Sequence, residues 1–335
     1  MKTNITRGLG LLALTLSLPT LAQGPLTPPG APAPTMKTLD QIEPRMPISS
    51  LPYTISNSGS YYLTGILTGQ AATNGITIVA NDVTLDLHGF ALVGVTGSLS
   101  GIVVSGSRTN VAVRNGSIRS WGSQGVDGGS IRAGRFDHLL VSTNGSTGLE
   151  AGTACVINEC VAYANGGYGI SVADGCVVVH CTASGNRLSG FYGSWSRFEG
   201  CTANFNQASG FYVFQYSQIR DCLAIQNEDD GIVLGRGCHA VGNSCSLNNS
   251  AGTTAYGGIR TFYEDGYIEG NYVHYTAGKG IYVRTNSLDP SIGWTVVRNR
   301  TSGPTATAYI YTAGNDVGPI GTAAASTSPW ANLRY

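Results

Sequence analysis

The chain has 335 residues, of which only 11% are charged, with a formal net charge of zero and 47 glycines. Average globular domains carry about 25% charged residues and about 7% glycine. With no basic run anywhere, the concentrated positive footprint that nucleic-acid binding needs is missing, so that class is excluded.

The first 22 residues have the layout of an export signal. Lys2 and Arg7 precede an apolar run from Leu9 to Leu18, and small residues end at Thr20-Leu21-Ala22 before Gln23. The run is short for a membrane anchor. The expectation is a signal peptide over 1–22, no membrane span after cleavage, and a mature protein that is secreted, periplasmic or on the cell surface. Residues 23–37 are largely Gly, Pro and Ala, which cannot build a core and form a semi-extended linker. Residues 38–335 then form one folded domain including terminal caps. Leu39 to Arg45, ahead of Pro47, is expected as a short helix over the open end of that domain.

From Gly75 onward a glycine followed by an apolar residue returns about every 21 positions: Gly75-Ile76, Gly101-Ile102, Gly125-Val126, Gly148-Leu149, Gly169-Ile170, Gly190-Phe191, Gly210-Phe211, Gly231-Ile232, Gly258-Ile259 and Gly280-Ile281. A period of that length with no helical stripe means one supersecondary unit stacked on itself. Within a repeat, short alternating apolar runs are broken by turn signals such as Asp174-Gly175 and Ser184-Gly-Asn186. Each repeat therefore holds two or three strands, and stacking places equivalent strands about 4.8 Å apart in parallel sheets. The fold class is all-β, a solenoid of 10–12 coils. Inward positions form columns, one from Ile76 through Phe191 and Phe211 to Ile281, a second two residues on from Ile78 through Gly193 to Val283. Gly193 is read as making room for Phe191.

Asn144, Asn165, Asn186, Asn206, Asn227 and Asn248 follow at intervals of 21, 21, 20, 21 and 21. Such a column hydrogen-bonds amide to amide along the axis and is read as scaffold. Eight cysteines in an exported protein ordinarily suggest disulfides. Here Cys155 and Cys176, and Cys160, Cys181, Cys201 and Cys222, stack one coil apart. In-register neighbours stand about 4.8 Å apart, farther than the Cβ separation of about 3.8 Å in a relaxed disulfide, which favours buried thiol ladders over bridges. The solenoid period also accounts for the repeated C-x4-C, so no metal site is assigned.

The Gly-Ile coils, the Asn ladder, the segment Val83-Thr-Leu-Asp-Leu-His-Gly-Phe-Ala-Leu92 and the segment Val111-Ala-Val-Arg-Asn-Gly-Ser-Ile118 resemble the right-handed parallel β-helix proteins of the pectate-lyase-like superfamily. The resemblance runs from about Tyr53 to Ile320. It implies a right-handed parallel β-helix, and the superfamily holds lyases, hydrolases, esterases, epimerases, phage tailspikes and adhesins, so it does not by itself assign a reaction. Val317-Gly-Pro-Ile320 and Ser328 to Leu333 look like the closing segment of exported β-helix proteins, with Trp330 as the expected plug.

Chemistry is sought on outward positions. The column beside the inward one reads Thr77, Val103, Asp127, Glu150, Ser171, Tyr192, Tyr212, Val233, Arg260, Tyr282, with Trp195, Phe214, Tyr216, Phe262 and Tyr263 nearby. Aromatic faces with a few acids and an arginine suit a carbohydrate chain, so Tyr192, Trp195, Tyr212, Phe214 and Tyr282 are the substrate-binding candidates. Asp127 and Glu150 fall on adjacent coils as an acid and base would. Glu228-Asp229-Asp230-Gly231 resembles the Asp-Asp segment of polygalacturonase-type hydrolases and Gly258-Ile-Arg260-Thr their arginine motif, which makes Asp229, Asp230 and Arg260 catalytic candidates. The Asn-Thr-Asp and Gly-His-Gly of that group are missing, and Asp230 is also the turn residue matching Tyr168, Ser189 and Ser209. The pectate-lyase Arg-x-Pro-x-x-Arg and the epimerase Asp-Pro-His-Asp are missing as well. Gly125-Val-Asp-Gly-Gly129 is one turn rather than a calcium-binding array, and no cofactor is assigned. The expected partner is a polysaccharide or cell-surface glycan, bound and, if an enzyme is present, cleaved or epimerised. Two alternatives stand beside it: a structural, adhesive or spacer solenoid of the envelope, and a homo-oligomer that buries the same tyrosines.

Overall fold

A strand of three residues cannot bury itself, but in register with copies above and below it can, and that is how this chain folds. The computed structural model describes residues 43–252, 256–274, 278–286, 289–290, 292–302, 307–311, 313–322 and 324–335. Chain contacts divide into two units, Met1–Pro44 and Arg45–Tyr335, and the solenoid lies wholly within the second. The helix expected over Leu39 to Arg45 falls for the most part outside the described residues, as do the signal peptide and the linker.

The solenoid has about eleven turns. Every strand that opens on a Gly-apolar pair joins one sheet: Ile76–Ile78, Ile102–Val104, Val126–Arg132, Leu149–Thr153, Ile170–Val172, Phe191–Gly193, Phe211–Gln215, Ile232–Arg236, Gly257–Thr261 and Lys279–Tyr282 are successive parallel neighbours. The register is the repeat itself, Ile170 opposite Phe191 and Phe191 opposite Phe211. Both other runs of each coil build the remaining strands, for example Val177–Val179 and Thr182–Ser184, again paired coil to coil. The inward columns are buried throughout, and a fully buried Ile or Leu contributes about 1.5–3 kcal/mol. Phe191 and Phe211 stack at 4.8 Å with planes 7° apart. Gly193 makes room not for Phe191 but for Val172 of the preceding coil and the Phe198 ring: a Cβ there would lie 2.7 Å from Val172 Cγ2 and 3.2 Å from the ring.

Coils turn their corners in the left-handed region, and many of the corner residues are not glycine. Ala154, Gly175, Trp195, Tyr216 and Gly237 occupy one corner of successive coils, and Ala164, Gly185, Phe205 and Gln226 another, all with φ between +43° and +74°. Each corner N–H is used, as in Ala164 N–H to Ser184 O at 2.9 Å and Gly185 N–H to Asn204 O at 3.0 Å.

The Asn ladder is continuous, with Nδ2-to-Oδ1 bonds of 3.0, 3.0, 3.0, 2.9 and 2.8 Å from Asn144 to Asn248. A second ladder escaped the sequence reading. The column Cys160, Cys181, Cys201, Cys222 continues as Asn243, Asn271, Asn299 and Asn332, with Cys222 N–H donating to Asn243 Oδ1 at 2.9 Å. Its steps of 28, 28 and 33 residues hide it from any search at fixed period. All eight cysteines are free and buried. Their sulfurs do at a corner what Asn or Ser does elsewhere: Cys155 N–H points at Cys176 Sγ at 3.3 Å, and Cys176 N–H at Ser196 Oγ at 3.1 Å. Burial pushes the Cys238 thiol up to about 11, which keeps it protonated. Trp330 is no plug: it is 49% exposed with the Arg298 guanidinium 4.1 Å from its ring, whereas Trp294 is the buried tryptophan of that region.

Candidate functional site

The outward column is in register along its whole length, from Asp127 opposite Glu150 to Ser171, Tyr192, Tyr212, Val233, Arg260 and Tyr282. Parallel pairing sets these side chains one above another about 4.8 Å apart, so aromatic rings stack. Tyr168 and Tyr192 lie 4.5 Å apart, Tyr192 and Tyr212 6.1 Å apart, and Tyr212 and Phe214 5.2 Å apart. Two coils on, Phe262 reaches back to within 6.5 Å of Tyr212. The intervening coil presents Gly235 between Phe214 and Phe262, and a Cβ there would meet Phe214 backbone atoms. Val233, outward but fully buried, lies beneath this covered stretch.

An open cleft of about 380 Å³ follows the stack, lined by Tyr168, Leu188, Ser189, Tyr192, Ala208, Ser209, Tyr212, Phe214, Asp229, Tyr256 and Arg260. Its polar end is held from below by Asp230. That carboxylate is fully buried, accepts from Arg260 Nη2 at 2.5 Å and Nε at 2.7 Å on one oxygen, and from Gly257 N–H at 2.7 Å on the other. The guanidinium lies 5.1 Å from the Tyr256 ring and 4.4 Å from that of Phe262, which fixes its plane. Burial pushes Asp230 up to about 6, with Arg260 and the Gly257 N–H pulling the other way. Burial also raises the Asp229 carboxyl, opposed by Arg260 and helped by Glu228. Burial raises the Tyr212 hydroxyl too. A carboxyl on a cleft wall that holds its proton above the usual range is suited to give and take one.

Five predicted residues thus come together: Tyr192, Tyr212, Phe214, Asp229 and Arg260. Asp230 belongs to them as the buried partner of Arg260 and is out of reach of any ligand. Trp195 stands at a corner, its ring 4.4 Å from that of Tyr216 and tilted by 38°, and does not line the cleft. Tyr282 follows Arg260 in register with Lys279 Nζ 3.4 Å from its ring centre, and it too is outside the lining. Asp127 and Glu150 are direct neighbours, as expected, but Ser171 stands between Glu150 and Tyr192, which puts Glu150 about 10 Å and Asp127 about 14 Å from Tyr192. Burial raises Asp127 against the Gly129 N–H, and Glu150 accepts from Gln124 Nε2 at 3.4 Å.

Tyr168, Ser189 and Ser209 were legible as the turn column that leads to Asp230, but not as cleft walls. Tyr256 lies near the end of the longer stretch between Gly231 and Gly258, 27 residues against 20 or 21 in the four coils before it. A second depression of about 560 Å³ is lined by Tyr272, His274, Arg300, Ser302 and Tyr335 and has no carboxylate side chain in its wall. Among the described residues no group of three or more His, Cys, Asp or Glu side chains could hold a metal ion, and no helix is long and apolar enough to cross a membrane.

Residues 55–197 match the family model described as the right-handed β-helix region. No curated protein matches the sequence. Among solved structures, the chain is similar to the A-module of the Azotobacter vinelandii mannuronan C-5 epimerase AlgE4, with a TM-score of 0.68 at 15% identity, over 81% of this chain and 90% of that one. The AlgE6 A-module from the same organism gives 0.52 at 13% identity, over 86% and 89%. The catalytic domain of a GH87 α-1,3-glucanase in complex with tetrasaccharides gives 0.61 at 14% identity, over 85% of this chain but only 64% of that one. At such identities the likeness establishes the fold alone.

Proposed function

We propose that this right-handed parallel β-helix protein binds an acidic polysaccharide in the cleft at Tyr192, Tyr212, Phe214 and Asp229, and moves a proton on it. The observation that carries the reading is the run of stacked rings ending at one carboxyl and one guanidinium. The parts of the offset tyrosine rings that the stack leaves open take the apolar faces of sugar rings, and the tyrosine hydroxyls take their hydroxyls. Glycoside hydrolysis ordinarily uses two carboxyl groups. The cleft wall has Asp229 alone, beside Arg260. One acid-base group next to one cation fits proton transfer at a carbon beside a sugar carboxylate, with Arg260 facing that carboxylate and Asp229 exchanging the proton. Arg260 is a directed donor because Asp230, Tyr256 and Phe262 hold its plane. The likeness to the mannuronan epimerase modules supports this reading at the level of fold. Export, read from Lys2 to Ala22, is proposed with it, and N-terminal sequencing of protein recovered outside the cytoplasm would find Gln23 first.

The test is binding of mannuronan, polygalacturonate and neutral α-1,3-glucan by the full mature chain, with solvent-deuterium incorporation into the acidic polymers followed by NMR. Acidic polymer is expected to bind, binding to weaken in Tyr212→Ala, and exchange to stop in Asp229→Asn with binding retained. Equal behaviour of wild type and both variants would sink the assignment.

A further inference from the structure

Trp195 and Tyr216 are left over by the cleft. They occupy the same corner on successive coils, with φ of +50° and +43°. Bulky residues are rarely found there, and the preceding and following coils use Gly175 and Gly237 at the same corner. Both side chains stay about half exposed, at 50% and 49%, so burial does not explain their choice. Their rings meet at 4.4 Å with planes tilted by 38°. Gly237 lets the Tyr216 ring lie close over its backbone, since a Cβ there would come within 2.5 Å of the ring. Left-handed corners without glycine recur through this solenoid, Phe205 and Gln226 among them; what sets this corner apart is that its two rings meet across successive coils and stay exposed.

The fringe of the pair is polar. Gln215 and Arg236 are opposite one another and exposed, their carbonyls accept the Trp195 and Tyr216 N–H groups at 2.7 and 2.8 Å, and Arg236 is ion-paired with Glu264. An aromatic face edged by amide, guanidinium and carboxylate groups suits a pyranose ring, whose faces are apolar and whose rim is hydroxylated. Continuity with the cleft selects the occupant. Trp195 is three residues beyond Tyr192 and Tyr216 two beyond Phe214, so shelf and cleft lie within about 10 Å along the chain, on either side of the corner where the two strands end.

We infer that Trp195 and Tyr216 form a second glycan platform, which holds a further stretch of the polymer whose reacting unit lies in the cleft. This rests on the reading of the ligand as a polysaccharide. The platform is a binding element and touches no reacting atom. It makes affinity depend on ligand length: a polymer reaches both surfaces, whereas a disaccharide in the cleft does not.

Trp195 reports on its own surface. Trp121 and Trp294 are buried, so in a Trp330→Phe background Trp195 is the exposed tryptophan. Mannuronan and polygalacturonate polymers, and their disaccharides, are titrated against the full mature chain while emission is followed, with affinity measured separately by gel retardation. Polymer is expected to change Trp195 emission, and disaccharide to leave it unchanged. Trp195→Ala should weaken polymer binding about three- to tenfold while leaving disaccharide binding and the thermal melt unchanged, and Trp195→Phe should retain the affinity but lose the signal. Polymer that binds without changing Trp195 emission, or binds Trp195→Ala as tightly, overturns the platform and leaves the cleft standing. Loss of binding in Trp195→Ala but not in Tyr212→Ala supports the platform and removes the cleft. No binding of either polymer overturns both.

Discussion

Replacing Arg260 by Gln removes the cation that faces Asp230, and the structure sets the size and pH dependence of the effect. The carboxylate would lose its 2.5 and 2.7 Å partners on Oδ2 and keep only the Gly257 N–H on Oδ1. Stripping one partner from a buried pair costs about 3–5 kcal/mol if the remaining charge persists, and a carboxyl reduces that cost by taking up a proton. In the wild type burial already raises Asp230 from 3.8 to about 6. A folded-state value above the unfolded one means that this group's contribution to stability is fully present below pH 3.8 and is lost as pH rises through 6. The loss is about 3 kcal/mol over that window, after which the wild type is flat above about pH 7. Without Arg260 the folded-state value moves higher, so the loss continues past pH 7 at up to about 1.4 kcal/mol per pH unit. Urea unfolding followed by circular dichroism at pH 6, 7 and 8 reads this as a gap between wild type and Arg260→Gln that widens by about 1–3 kcal/mol. Taking the difference cancels the titrating groups that Arg260 does not face; Asp229, which Arg260 also pulls down, does not cancel, so the comparison is made in an Asp229→Asn background. A gap of constant size would refute the coupling, and with it the claim that Asp230 holds Arg260 for the cleft. The double variant Asp230→Asn/Arg260→Gln should lose the widening.

Asn206→Ala would leave the Asn186 N–H and Nδ2 without the oxygen both reach at 3.0 Å, and the Ala183 carbonyl without its donor, so urea midpoints should report a loss of about 3–6 kcal/mol. Ala164 has φ +52°, and its counterpart on the next coil is Gly185 at +65°. Ala164→Gly should therefore raise stability by about 0.5–1 kcal/mol, the relief of left-handed strain outweighing the added freedom of the unfolded chain; a lower urea midpoint would contradict this. The eight cysteines are at most 2% exposed, so a chromogenic thiol reagent should titrate none in the native protein and eight after guanidinium, without reductant. Fewer than eight would mean that a bridge forms.

The fold was legible because its instructions are periodic. Gly169-Ile170 and Gly190-Phe191 repeat at one spacing, so register, inward columns and the first Asn ladder could be counted, and each coil met its neighbour as counted. Counting failed where the spacing changes. Asn243, Asn271 and Asn299 do the same work as Asn144 and Asn165, but steps of 28 put them out of phase with any 21-residue ruler. It failed also where direction matters more than position. Phe214 is three residues past the inward Phe211 and Trp195 four past the inward Phe191, and that one step separates a ring that continues its strand into the cleft wall from one that turns away at a left-handed corner.

The break in the period is itself informative about the site. A uniform coil offers the same outward surface at every level, and a ladder of identical levels has no place where a ligand is held better than at the next. Between Gly231 and Gly258 the coil lengthens to 27 residues, and Tyr256 and Gly257 at its end supply a cleft wall and a backbone donor for Asp230. Over the same coils the turn column changes from Tyr168, Ser189 and Ser209 to a buried aspartate, and the outward column from tyrosine through the buried Val233 to arginine. A buried carboxylate costs stability unless a cation meets it, and the sheet register puts Arg260 where it does. The two changes are therefore one feature, and it ends the aromatic stack at a charged group rather than at another ring. Asp86 and Asp137 are also buried beside arginines, but the Asp230–Arg260 pair is the one that ends at the aromatic cleft, which is why the site is assigned there and not to the paired acids Asp127 and Glu150 further up the same column.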